Sequence, residues 1–316
     1  MVSRDLEAPW SVAFLPDGSA LVSERDRGRI VQVPAGGGDG RPVGEVPGVD
    51  AEGEGGLLGL AVSPTFATDG LVYAYLTASD DNRVVRMRLD GSRLGPADVV
   101  LSGIAKAGIH NGGRIAFGPD DFLYVATGDA AESGAAQDRS SLSGKILRVT
   151  AEGRPAPGNP FPDSPVWSYG HRNVQGIAWD SRGRMWASEF GQNTYDELNR
   201  IEPGRNYGWP EVEGPEEREG LTAPQVSWTT EESSPSGIAV VGDVVYVAGL
   251  RGARLWRVPV DGERAGKAQD FFTGEYGRLR SVTAAPDGSL WLGTSNRDGR
   301  GDPRDEDDKI LRVTFG

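Results

Sequence analysis

Apolar residues in this chain fall in short alternating runs, and the runs recur in groups of three. The groups are 11–14, 20–22 and 28–33; 58–62, 71–75 and 83–87; 114–117, 123–126 and 145–149; 176–179, 185–187 and 196–201; 237–240, 244–247 and 253–258; 281–284, 290–292 and 309–313. Turn residues separate the first two runs, as in Pro16-Asp17-Gly18, Pro119-Asp120-Asp121, Ser181-Arg182-Gly183 and Pro286-Asp287-Gly288. Such turns between close apolar runs predict hairpins. The groups repeat with a period of about 45 to 60 residues, and each has room for a fourth, outer strand. Pieces at 42–46 and 98–101 suit that outer position. The pattern predicts one all-β domain over residues 1–316, a six-bladed β-propeller of four-stranded antiparallel blades.

The two ends of the chain support closure. The last group stops at its third run, and a short segment, about residues 2–6, precedes the first group. This segment is expected to supply the outer strand of the last blade, which leaves no open sheet edge. Helical periodicity is nowhere sustained; the one helix-like stretch, 130–142, is weak.

Composition narrows the partners. The 46 glycines and 21 prolines fall between the apolar runs, as punctuation of strands rather than a disordered tract. A net charge of −13 argues against nucleic acid and anionic membranes. No apolar run approaches the length of a membrane span, and residues 1–10 lack the apolar segment of a signal peptide. The absence of cysteine removes disulfides and thiolate chemistry, and fits an exported enzyme or a cytosolic one.

A propeller works at one mouth of its channel, on the loops that enter the innermost strands. Before the first runs stand Glu54-Gly55-Gly56, His110-Asn111-Gly112-Gly113, His171-Arg172-Asn173, Pro235-Ser236 and Arg278-Leu279-Arg280. His110, one of two histidines, is by itself an ordinary loop residue. Brought to one mouth with the arginines of other blades, it becomes a candidate general base. Arg172 and Asn173 can polarise a carbonyl oxygen. Arg278 and Arg280, with Arg251, offer forks for carboxylates and suggest a small polyanionic ligand. The stretch 189–199, together with 206–210, has the oxygen groups of a hard-cation site suited to Ca²⁺. Spacing alone favours a hydrogen-bonded turn there. Zinc, P-loop, nucleophile-elbow and dinucleotide signatures are absent from the sequence.

At these residues the chain resembles the soluble quinoprotein glucose dehydrogenases and aldose sugar dehydrogenases. The similar pieces are Glu54-Gly55-Gly56-Leu57-Leu58-Gly59-Leu60, His110 with Gly112-Gly113-Arg114, His171-Arg172-Asn173-Val174-Gln175-Gly176, Glu189-Phe190-Gly191-Gln192-Asn193, Asp196-Glu197-Leu198-Asn199, Asn206-Tyr207-Gly208-Trp209-Pro210, Leu250-Arg251-Gly252 and Arg278-Leu279-Arg280. The resemblance implies a six-bladed propeller that uses pyrroloquinoline quinone (PQQ) and Ca²⁺ to oxidise the C1 hydroxyl of aldoses to the lactone by hydride transfer. It implies that His110 is the base, and that Arg172 and Asn173 face the quinone carbonyls. Arg251, Arg278 and Arg280 would bind the PQQ carboxylates, with Glu54 at the mouth beside them. The carbonyls of Gly191 and Gln192 would hold the Ca²⁺ next to PQQ. Glu197 and Tyr207 would serve a second, structural Ca²⁺. It also implies an exported or periplasmic protein, an external electron acceptor and a monomer.

The chain departs from the glucose enzymes at Glu54, where they carry Gln, and at Ile109, where they carry Asp; a broad aldose specificity is expected. Two other functions share this fold. A binding propeller without catalysis would be expected to lose His110 or an arginine. A Ca²⁺-dependent hydrolase would need several carboxylates around the channel.

Overall fold

A computed structural model describes residues 1–261 and 264–315. Its strands form six antiparallel sheets. Their innermost strands are Pro9–Phe14, Leu57–Val62, Ile115–Phe117, Val174–Trp179, Pro235–Val241 and Leu279–Ala284. Each inner strand touches the next, and the sixth touches the first, so the sheets are blades around one channel. The six-bladed expectation holds, and the sequence groups fall on the three inner strands of each blade.

Packing follows from the pleat. A strand buried on both faces packs one neighbouring blade with alternate residues and the other neighbour with the rest. The apolar residues accordingly form six clusters, each shared by two adjacent blades. Leu21 and Ile30 meet Leu57 and Val72 between the first and second blades. Trp186 and Leu198 meet Val245 and Trp256 between the fourth and fifth.

The outer strands vary. Arg41–Glu45 and Arg93–Ile104 occupy the places expected for residues 42–46 and 98–101. In the fifth blade the strand Arg254–Asp261 pairs with both Arg264–Ala265 and Gln269–Phe271. The sixth blade has three strands of its own, and the N-terminal segment pairs with the last of them. Val2 N donates to Ile310 O at 2.7 Å, Ile310 N to Ser3 O at 2.9 Å, and Leu6 N to Asp308 O at 2.9 Å. Closure is therefore made as expected, by an antiparallel bridge at Ser3 and Ile310 rather than by a long regular strand.

The weak helix at 130–142 does not form; the stretch holds only a short 3₁₀ turn, Ser133–Ala136. Ala130 and Ala131 adopt φ of 52° and 63°, in the left-handed region that a right-handed helix cannot include. Among the described residues the one α-helix is the single turn Phe66–Asp69, and no helix is long and apolar enough to cross a membrane.

One irregularity recurs. Five of the six inner strands carry a register shift within their first residues: Pro9/Ser11, Leu57/Leu60, Val174/Gly176, Pro235/Ile238 and Leu279/Ser281. A bulge re-aims the side chain of its extra residue. Trp10, Gln175, Ser236 and Arg280 sit at these shifts. The mouth of the channel is thus built by one local device used five times.

Candidate active site

His110 lies in the loop before the third inner strand, with φ of 58°. That conformation is strained for a residue with a side chain, and it is held from several sides. His110 N donates to Glu54 Oε2 at 3.0 Å, and its carbonyl accepts from Ala130 N at 3.1 Å. The neighbouring glycines are obligatory. Gly112 has φ of 62°, and a Cβ there would strike the Thr127 backbone; a Cβ on Gly128 would strike the His110 carbonyl.

The imidazole Nδ1 lies 2.8 Å from Asp129 Oδ1. Asp129 also accepts from the Trp209 indole at 2.8 Å and from Ala131 N at 2.9 Å. Burial alone would push its carboxyl up, but the bonds from His110, Trp209 and Ala131 outweigh it and hold the pKa below the usual value. An ionised Asp129 can only accept, so Nδ1 carries the proton. Nε2 then presents its lone pair, on a side chain that is 13% exposed.

His171 stands at the equivalent position in the next blade and has the opposite fate. It is fully buried, with Nδ1 on Glu189 Oε2 and Nε2 on Ser168 Oγ, each at 2.8 Å. Both ring nitrogens are occupied, so its role is structural.

Arg172 and Asn173 interlock with the His110 loop. Asp129 N donates to Arg172 O at 2.8 Å, and Gly112 N to Asn173 Oδ1 at 3.0 Å. The Arg172 guanidinium lies over the Trp209 ring at 5.4 Å and donates to Phe190 O at 3.2 Å. Burial lowers its pKa below the usual arginine value. Arg172 Nε and Asn173 Nδ2 are buried and have no acceptor.

From the sixth blade, Arg278 donates to Asp298 Oδ2 through Nε and Nη2, at 3.1 and 3.0 Å. Arg280 is buried, lies 3.5 Å from the same carboxylate, and donates to Gln175 Oε1 at 2.8 Å. Its Nε is also without an acceptor. Arg251 is not in this network. It is 57% exposed at the rim and pairs with Glu231 at 3.3 Å. Glu54 joins the His110 loop to the rim, where its Oε1 accepts from Arg300 at 3.0 Å. Ile109 stands beside it, 41% exposed.

The oxygen-rich stretch is ordered by carboxylates. Glu213 Oε1 accepts the amides of Gln192, Asn193, Thr194 and Tyr195, between 2.8 and 3.1 Å. Asp196 Oδ1 accepts Gly191 N at 3.0 Å. Among the described residues the carbonyls of Gly191 and Gln192 accept no hydrogen bond. Glu197 is buried; it accepts from Gly214 N at 2.7 Å and Asn199 Nδ2 at 3.0 Å, and burial beside Glu189 pushes it up to about 8. The Tyr207 ring stacks on His171 at 4.7 Å, and its hydroxyl donates to Arg200 O at 2.7 Å. Among the described residues no three acidic or histidine side chains gather around a metal-sized point.

Sequence reasoning missed Asp129 and Asp298, each just past the second strand of its blade. Asp129 had a signal, the Gly128-Asp129 step at the strand exit; its pairing with His110 had none. It also assigned the motif 206–210 to cation binding, whereas Trp209 braces both Asp129 and Arg172.

Comparison with known proteins follows the same lines. The sequence model of the glucose/sorbosone dehydrogenase family matches residues 6–311. The chain is 29% identical to aldose sugar dehydrogenase YliI of Escherichia coli strain K12, over 93% of this chain and 89% of that protein. It is 28% identical to quinoprotein glucose dehydrogenase B of Acinetobacter calcoaceticus, over 77% of this chain and 59% of that protein. The solved PQQ-bound form of aldose sugar dehydrogenase from Streptomyces coelicolor superposes with a TM-score of 0.96 at 56% identity, over 99% of this chain and 95% of that one. The family match begins in the N-terminal closing segment and ends in the last strand, so it takes in the whole ring and its mouth: the chain belongs to the glucose/sorbosone dehydrogenase family.

Proposed function

We propose that this protein is a PQQ- and calcium-dependent oxidoreductase that oxidises the C1 hydroxyl of aldose sugars to the lactone. The observation that carries the reading is the set of buried donors without acceptors, Arg172 Nε, Asn173 Nδ2 and Arg280 Nε, at the mouth that also holds the His110–Asp129 pair. Buried donors without partners cost about 1–3 kcal/mol each, and a flat, carbonyl- and carboxylate-bearing ligand would satisfy them. The residues present fit PQQ. Arg172 and Asn173 would meet its quinone oxygens, and Arg278 and Arg280 its carboxylates, with Arg251 and Glu54 at the rim.

When bound, PQQ supplies a two-electron acceptor for the C1 hydride. The protein's own work is proton handling and positioning. His110 Nε2 takes the C1 hydroxyl proton, and Asp129 stabilises the imidazolium that results. Arg172, fixed over Trp209, offers positive charge where a carbonyl oxygen gains electron density. An external electron acceptor would be needed to return the cofactor to its oxidised form.

The free carbonyls of Gly191 and Gln192 suit a Ca²⁺ beside the cofactor. A second Ca²⁺ at Glu197 and Tyr207 would depend mainly on carbonyls, since Glu197 is the one carboxylate in that pair. Glu54 and Ile109 at the rim favour a broad range of aldoses.

The test is reconstitution with PQQ and Ca²⁺, followed by dye-linked oxidation of several aldoses. Absence of both a PQQ-dependent spectral change and dye reduction rejects the proposal. His110→Ala is expected to abolish turnover while PQQ binding stays close to that of the parent protein. Loss of PQQ binding in that variant would reject the role given to His110.

A further inference from the structure

Arg114 is used by nothing described so far. Its side chain crosses the channel, since Nη1 donates to Ser11 Oγ of the first blade and Nε to the Gln175 carbonyl of the fourth, both at 2.9 Å. The guanidinium lies 4.2 Å over the Trp10 ring. Toward the far mouth, Arg114 lines a cavity of about 280 Å³ bounded by inner strands of all six blades, Leu60, Ile177, Ile238 and Val282 among them. Toward the catalytic mouth it shares Gln175 with Arg280. It therefore sits on the channel axis beneath the Arg278–Arg280 cluster.

Among the described residues no ion pair offsets its charge. The residue is 9% exposed, Nη2 has no partner, and among the described residues no carboxylate pairs with it. Burial, and then the nearby charge of Arg280, lower its pKa to about 9. Among the described residues Arg114, Arg278 and Arg280 together have Asp298 as their one carboxylate partner. A buried cation without a counter-charge is costly for the empty protein and stands ready for an anion.

We propose that Arg114 is a positioning residue for the anionic cofactor. Without touching the ligand, it supplies positive charge to the floor of the site and fixes Gln175, which aims Arg280. The proposal rests on the PQQ reading given above.

The test measures the Kd for PQQ and the melting temperature of the cofactor-free protein in three variants. Arg114→Gln is expected to raise the Kd about tenfold, whereas Arg114→Lys, which keeps the charge, stays within about threefold of the parent. Gln175→Glu places a carboxylate on the Arg280 guanidinium, in the residue whose backbone carbonyl holds Arg114. It is expected to raise the melting temperature of the empty protein and to weaken PQQ about tenfold. This variant decides the matter should Arg114→Gln fail to fold. An unchanged Kd in Arg114→Gln or in Gln175→Glu overturns the proposal. So does an equal loss in Arg114→Gln and Arg114→Lys, which would assign Arg114 to packing. If the parent protein itself does not bind PQQ, the reading of the site falls, and this inference with it.

Discussion

In the proposed reaction Asp129 would be what lets His110 act as a base. An imidazole needs one nitrogen committed so that the other is available, and the 2.8 Å contact to a buried carboxylate commits Nδ1. Asp129→Asn replaces an obligate acceptor with an amide that can donate, so the tautomer is no longer fixed. We expect kcat to fall by about a hundredfold or more with PQQ affinity little changed, measured by steady-state kinetics beside PQQ titration. The same substitution has a stability signature. Asp129 has a folded pKa below its unfolded value of 3.8, so between those values the unfolded chain binds more protons. Its contribution is fully present above pH 3.8 and is lost as pH falls through the lower, folded value. The stability advantage of the parent over Asp129→Asn should therefore shrink on acidification through that window, as followed by denaturant melts. An advantage that grew as pH fell would contradict this sign.

At the scale of the element, the features that build the site were the ones least visible in the sequence. Short apolar runs announced the strands, because a blade buried on both faces places apolar residues at successive positions. His110, Arg172, Arg278 and Arg280 were legible because they stand directly before those runs. Bulges leave no such mark: a single register shift looks like any other dipeptide, yet it turns Gln175, Ser236 and Arg280 toward the channel. The pairing of Trp209 with Asp129 was not legible, because the contact crosses between loops distant in sequence. The N-terminal segment carries its own prediction. Leu6 is buried, together with Val2, against Val31, Val33, Trp291 and Ile310. Leu6→Ala should destabilise the protein by about 2–5 kcal/mol in chemical denaturation. A change near zero would show that the closing segment is dispensable.

On the scale of the whole molecule, the site belongs to several blades at once. His110 and Asp129 come from the third, Arg172 and Gln175 from the fourth, Ser236 from the fifth, and Arg278 and Arg280 from the sixth. A ligand held by such a set stabilises the ring as a unit. PQQ at about one hundred times its Kd should add about 2.7 kcal/mol and shift a single calorimetric transition upward. Two separate transitions, one of them indifferent to PQQ, would show that the blades melt independently. The overall architecture was the most legible feature of all, because a repeat states the same pattern six times and local ambiguities average out.

The bond from Val2 to Ile310 joins residues more than three hundred positions apart. A ribosome makes the second partner more than three hundred residues after the first. Throughout that interval the segment around Val2 lacks the strand it bridges, and the first blade has no sixth blade beside it. Growth of the chain therefore passes through an open crescent with unpaired strand edges, the form most exposed to association with other chains. Closing it is the contact with the longest loop to organise, and so the step that must wait for all the others.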